Sequence, residues 1–148
     1  MKPAAAFLQK LLPPVWLGMI CAIAMEAQLK FQAPGITREL GLGIGKIVFT
    51  ALNRVECAIA ILLLITFFVF KNARRTQTVF AVILLILLAQ TVWLIPSLIE
   101  RIDLITSGQT VLPDSSSHFF YIAFEICKMV LLAVLSVLLN GQTIDSRK

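Results

Sequence analysis

The chain has 148 residues, of which 59% are hydrophobic and 14% charged, where a soluble domain has roughly 45–50% apolar and about 25% charged residues. With a mean hydropathy of +0.92, this composition excludes water as the main solvent, and four spans of about 20 residues leave no room for a separate soluble domain. The net charge of +5 is divided between apolar runs and forms no basic stripe, which argues against a nucleic-acid partner and makes the charge a guide to topology.

In chain order, the first apolar segment contains Pro13-Pro14. A proline pair breaks a helix begun upstream, so the first span is predicted over residues 14–33, stopped by Pro34-Gly35, with 4–12 a short interfacial piece. A secretory signal peptide is the competing pattern, because Lys2 precedes an apolar stretch and Ala22-Ile23-Ala24 imitates a cleavage site. We expect the segment to be kept as a span. Gly18-Met19-Ile20-Cys21 also has the wrong residue before cysteine for a lipoprotein site.

Three further apolar runs predict spans over 51–70, 76–95 and 119–138. Before the second, Gly41-x-Gly43-x-Gly45 lacks dinucleotide-binding spacing, and its small residues suit a close helix approach. After the third, residues 98–107 form an amphipathic outer helix ended by Gly108, and Pro113-Asp114-Ser115 turns the chain toward the fourth span. Trp93 and Tyr121 suit the outer interfacial belt.

Orientation follows from the tight connection Lys71-Asn72-Ala73-Arg74-Arg75, whose cations place it in the cytoplasm. Lys2, Lys10, Arg147 and Lys148 then fall on the same side, opposed by the single acid Asp145. The predicted fold is all-α: a polytopic membrane protein, a four-transmembrane-helix bundle forming one domain over 1–148. It lies in the plasma (inner) membrane as a multi-pass chain with both termini cytoplasmic, N-in and C-in.

Ionisable and amide side chains concentrate in the outer half. At about 1.5 Å per residue, Glu26 lies roughly 18 Å above the cytoplasmic edge, while Gln90, Glu56 and Glu125 come about 7–9 Å below the outer edge and Lys128 about 13–14 Å below it. Asn53 and Arg54 occupy the first outer turn of the second span. An ionised group near the bilayer centre costs about 2.5–3.5 kcal/mol on insertion scales, so Glu26, Asn53, Arg54, Glu56, Gln90, Glu125 and Lys128 should face one another or a cavity. Glu125 and Lys128, spaced i,i+3, share a helix face, and Arg54 is available to Glu26 or Glu56. Three acids against two bases leave one carboxylate in need of a cation, a proton or water. Residues 59–65, 79–88 and 130–135 are almost wholly apolar, which suggests a pocket open to the outer side over an apolar floor. The opposing reading is that buried ion pairs only fix helix register and partner choice.

Cys21, Cys57 and Cys127 form no CxxC pair, and their odd count supports neither a disulfide framework nor a zinc ribbon. Cys21 and Met25, spaced i,i+4, could offer soft ligands to Cu(I). Cys127, however, lies about 200° around its helix from Glu125, so both cannot face inward. His118, the one histidine, excludes bis-histidine haem and three-histidine zinc sites; it flanks the fourth span, where a proton-sensing role is open to it. Ser115-Ser116-Ser117 lacks a base arrangement for hydrolysis. No metal or cofactor is expected.

Trp16-Leu17-Gly18, the stretch Gly45-Lys46-Ile47-Val48-Phe49 leading into Asn53-Arg54-Val55-Glu56, and His118 through Tyr121 to Glu125-x-x-Lys128 resemble a family of small bacterial four-helix membrane proteins related to eukaryotic transmembrane protein 205. The resemblance implies the four-helix topology. Some relatives are discussed alongside copper-export proteins, but this chain has no histidine- or methionine-rich ligand run. The expected function is therefore non-enzymatic: the outer polar cluster binds a small ligand, an ion or a protein helix. The alternative is a structural or assembly subunit of a larger membrane complex. The expected partners are the lipid bilayer and either membrane-protein subunits or further copies of the chain.

Overall fold

The computed structural model describes residues 2–109 and 116–141, with side chains for 3–109 and 119–141. Helix α1 (Lys2–Leu29) runs into a 3-10 turn, Lys30–Gln32; α2 (Arg38–Val69) and α3 (Arg74–Ala89) follow. A π turn, Gln90–Leu94, joins α3 to α4 (Ile95–Thr106), and α5 (Ser116–Gly141) closes the bundle. Four segments are long and apolar enough to cross a membrane: Pro3–Gln32, Arg38–Val69, Arg74–Thr106 and Phe119–Gly141. The protein is an all-α four-helix membrane bundle, as the hydropathy pattern predicts.

Two helices differ from expectation. Pro13-Pro14 does not break α1, which is continuous from Lys2, so no separate interfacial piece precedes the first span. In hydrocarbon an unwound segment would leave backbone groups without water, and packing against neighbouring helices holds the helix through the prolines. Helix α2 begins at Arg38, well before the apolar run. Thr37 caps it, its Oγ1 accepting from the Leu40 N–H at 3.2 Å, and Glu39 lies in the first turn, where negative charge complements the helix dipole.

Short connections make α1, α2 and α3 successively antiparallel, while α4 continues the course of α3. Helix α1 packs on α2 and α5, α3 packs on α5, and α2 rests along α3 and α4. One end of the bundle carries the start of α1 and the 70–73 turn, where Gln9 Nε2 donates to Asn72 Oδ1 at 3.3 Å. The opposite end carries the 33–37 connection and Gly108, whose φ of +79° closes α4 as Gln109 N–H reaches back to the Leu104 carbonyl at 3.1 Å.

The interior follows alternating steps of four and three residues. Gln9, Pro13, Trp16 and Ile20 are buried in α1; Leu52, Glu56, Ile59, Leu63 and Thr66 in α2; Thr76, Phe80, Ile83, Leu87, Gln90 and Leu94 along α3 and the π turn; Tyr121, Lys128, Leu132, Leu135 and Leu139 in α5. This is the knobs-into-holes period of antiparallel bundles. Toward the 70–73 end the stripe is mainly aliphatic and aromatic, with Phe67 stacked on Phe80 at 4.5 Å. The apolar floor is therefore present.

Glycines at the start of α2 do what their size allows. Gly41 and Gly45 are buried, and a Cβ at Gly41 would run into the Phe31 ring, whereas one at Gly45 would stand 3.2 Å from Lys30 Nζ. Nothing approaches Gly43 within 4 Å. Gly41→Ala is expected to displace the half-exposed Phe31 ring at less than the roughly 1–3 kcal/mol of core overpacking, while Gly43→Ala should be neutral or slightly stabilising; thermal unfolding in mild detergent distinguishes them. Nearby, Lys46 bridges to both carboxylate oxygens of Asp103 at 2.6 and 2.7 Å, tying α2 to α4. The pair is partly exposed, so Lys46→Ala should cost under about 1 kcal/mol in the same assay.

Candidate functional site

At the middle of each helix the interior stripe turns polar: Trp16 on α1, Glu56 on α2, Gln90 at the π turn, and Glu125 with Lys128 on α5. At about 1.5 Å per residue, Trp16, Gln90 and Lys128 lie near the middle of their helical segments, Glu56 lies nearer the Val69 end of α2, and Glu125 lies nearer the Ser116 end of α5.

Lys128 is the hub. Its Nζ lies 2.6 Å from Glu56 Oε1, 3.2 Å from Glu125 Oε1 and 2.8 Å from Gln90 Oε1. Three acceptors match the three protons of an ammonium group. The Trp16 indole N–H donates to Glu56 Oε1 at 2.7 Å, and Gln90 Nε2 donates to Glu125 Oε1 at 3.0 Å. Its bonds with Lys128 and Glu125 fix the Gln90 amide: its oxygen faces the ammonium and its nitrogen the carboxylate. The cluster thus joins all four sides of the bundle through charge-assisted hydrogen bonds, which are stronger than neutral ones.

The π turn explains how Gln90 arrives there. Its extra residue per turn shifts the register, so that consecutive residues Gln90 and Thr91 both engage partners, and Leu94 and Ile95 are both buried. Such bulges recur at functional sites. Thr91 Oγ1 accepts from Asn53 Nδ2 at 2.9 Å, lies 3.9 Å from Cys57 Sγ, and donates to the Leu87 carbonyl at 2.7 Å. Asn53 therefore forms a strut between α2 and the π turn beside the charged cluster.

The site is closed. Side-chain exposure is 0% at Lys128 and 1% at Glu56, against 13% at Glu125. The expected outer pocket does not open onto Lys128 or Glu56 among the described residues; the groups fill one another's space. A shallow depression does lie elsewhere, along α4 between Pro96 and Ser107. Glu125 Oε2 is buried and has no hydrogen-bond partner. The phenol of Tyr121, one turn along α5, adjoins the Glu125 carboxylate.

The structure brings together Glu56, Gln90, Glu125 and Lys128, with Asn53 adjacent, and leaves two expected members out. Glu26 pairs with Lys30 at 3.7 Å near the end of α1, and Lys30 also lies over the Phe49 ring at 5.7 Å. Arg54 is exposed on the outward side of α2 and has no partner among the described residues, so it meets neither Glu26 nor Glu56. It lies two residues from Glu56, about 200° around the helix, and so cannot share its face. Tyr121 is buried against Phe49 at 5.4 Å, and Trp93 is exposed. The side chain of His118 and those of Ser115-Ser116-Ser117 lie outside the described residues.

Trp16 is the member that sequence reasoning missed. Its signal was present: Gln9, Pro13, Trp16 and Ile20 keep the four-three step, and a buried indole N–H needs an acceptor. Among the described residues no group of three or more His, Cys, Asp or Glu is arranged to hold a metal ion, and Cys127 is exposed, facing away from the cluster. No protein-family model, curated protein or solved structure matches this chain.

Proposed function

We propose that the protein is a non-enzymatic multi-pass protein of the plasma (inner) membrane, both termini cytoplasmic, whose mid-bundle cluster binds a small cationic ligand. The orientation is supported by the cations of the Lys71–Arg75 connection. The ligand class is supported by one observation: two carboxylates face one ammonium, and a buried oxygen of Glu125 is left without a partner. A net negative charge in a low-dielectric interior calls for a positive one. The closed packing limits that positive charge to something small.

The test is thermal unfolding of the purified protein across lithium, sodium and potassium salts and across pH at fixed ionic strength. A shift in Tm with cation or proton concentration that disappears in Glu125→Gln supports the proposal. A response unchanged by that substitution contradicts it.

A second reading, as an assembly subunit, is favoured by the outward face of α2. Ile47, Ala51, Arg54, Ala58, Ile61, Ile65 and Phe68 are all exposed and repeat the four-three step. The small residues Ala51 and Ala58 flank Arg54, as close helix contact requires. A twofold copy would set Arg54 against itself, so the matching partner is a different helix bearing a carboxylate at that depth. Arg54→Leu should then strip co-purifying subunits from the protein in mild detergent. An unchanged native mass and composition would exclude this reading.

A further inference from the structure

We infer that the bundle end carrying the start of α1 and the 70–73 turn holds the headgroup of an anionic phospholipid, bound through its phosphate by Lys71, Arg74 and Arg75. This site is separate from the mid-bundle cluster.

The turn satisfies its uncharged polar groups internally. The Asn72 side chain accepts from Gln9 Nε2 at 3.3 Å and donates to the Phe70 carbonyl at 3.2 Å, and the Asn72 carbonyl accepts from Gln77 Nε2 at 3.2 Å. These bonds join α1, the end of α2 and the first turn of α3. The cations of the turn are left over. Lys71, Arg74 and Arg75 are exposed, and their side chains make no hydrogen bond or ion pair with any described residue. Lys10, beside Gln9 at the same end, is half-buried and has no such partner either.

Among the described residues no acid answers this charge. Glu26, Glu39, Glu100 and Asp103 lie toward the opposite end, and Glu56 and Glu125 are engaged with Lys128 in the interior. Residues 142–148 lie outside the described residues; their sequence sets Arg147 and Lys148 against Asp145, so they bring no net negative charge. Arg74 and Arg75 also open α3, whose first turn has no acid and no side-chain cap, which sets like charge against the positive end of the helix dipole. An external anion relieves that repulsion.

The surroundings make the anion a lipid. Just before the turn Phe68 is 84% exposed, and Phe7 on α1 is 64% exposed. On a chain with four membrane-length segments such rings lie against acyl chains, so the cations beyond them stand at headgroup depth. Guanidinium groups bind phosphate oxygens in pairs. Phosphatidylcholine offers the same phosphate, but its choline cancels the charge, so the patch favours a headgroup of net negative charge. With the orientation proposed above, that lipid belongs to the cytoplasmic leaflet, whose surface is anionic.

Native mass spectrometry of the full chain, purified in neutral detergent and mixed with equal amounts of phosphatidylglycerol and phosphatidylcholine, reads which lipid is retained. Each Lys or Arg near an anionic surface strengthens binding roughly fivefold, so phosphatidylglycerol should be favoured at least about tenfold in the wild type. Arg74→Gln and Arg75→Gln should each reduce that preference roughly fivefold, whereas Lys46→Gln, at the opposite end, should leave it unchanged. Lys71→Gln/Arg74→Gln/Arg75→Gln should abolish it. Helical circular dichroism checks the fold, and if the triple variant loses helicity the two single variants, whose side chains are exposed and unbonded, still decide. Equal retention of the two lipids, or a preference that the arginine substitutions leave intact, overturns the proposal. Inorganic phosphate that displaces phosphatidylglycerol at equal concentration would mark a free-anion site and overturn the lipid. None of these outcomes touches the cation-binding reading, whose test depends on Glu125.

Discussion

Lys128→Met is expected to lose about 3–5 kcal/mol of stability, because it removes the cation that bridges two buried carboxylates and leaves Gln90 without its ammonium donor. The same methionine in the triple variant Glu56→Gln/Glu125→Gln/Lys128→Met should restore much of the loss, since the uncompensated charges are gone and their volumes nearly kept. Denaturant titration in mild detergent, followed by circular dichroism, compares the two. A triple variant as unstable as Lys128→Met would mean that the damage comes from packing rather than from stranded charge.

The second large effect is expected at Trp16. Trp16→Phe keeps an aromatic ring in the core but removes the N–H that reaches Glu56 at 2.7 Å, a bond to a charged acceptor worth about 1.5–3 kcal/mol. Trp16→Ala adds a cavity at a fully buried position and should cost at least about 3–5 kcal/mol. Because the indole donates to Glu56, the penalty of Trp16→Phe should shrink in a Glu56→Gln background. The same penalty in both backgrounds would show that only ring volume matters at this position.

Much of this architecture is legible in the residues themselves. Hydropathy alone defines four spans, and the expense of ionised groups in hydrocarbon predicts that Glu56, Gln90, Glu125 and Lys128 meet inside the bundle, as they do. What escaped depends on helix phase and on solvent. The 200° argument that turns Cys127 away from Glu125 also turns Arg54 away from Glu56, and applying it to α2 would have removed Arg54 from the cluster. Glu26 lies off the Trp16–Ile20 stripe and has Lys30 one turn ahead, a local partner that outcompetes any across the bundle. The Pro13-Pro14 break is a rule learned in water, where an unwound backbone can be solvated; in a bilayer that alternative is lost. The π turn has no sequence signature of its own beyond the nearby Pro96, so the inward placement of both Gln90 and Thr91 emerges only from the folded chain.

Central to the account is the pairing of Glu56 on α2 with Lys128 on α5 in the middle of the bundle. A double-mutant cycle with Glu56→Gln and Lys128→Met, read as unfolding free energies in mild detergent, measures it directly. The account predicts a coupling of at least about 1 kcal/mol, the double variant losing less than the sum of the singles; additivity within about 0.3–0.5 kcal/mol would contradict it.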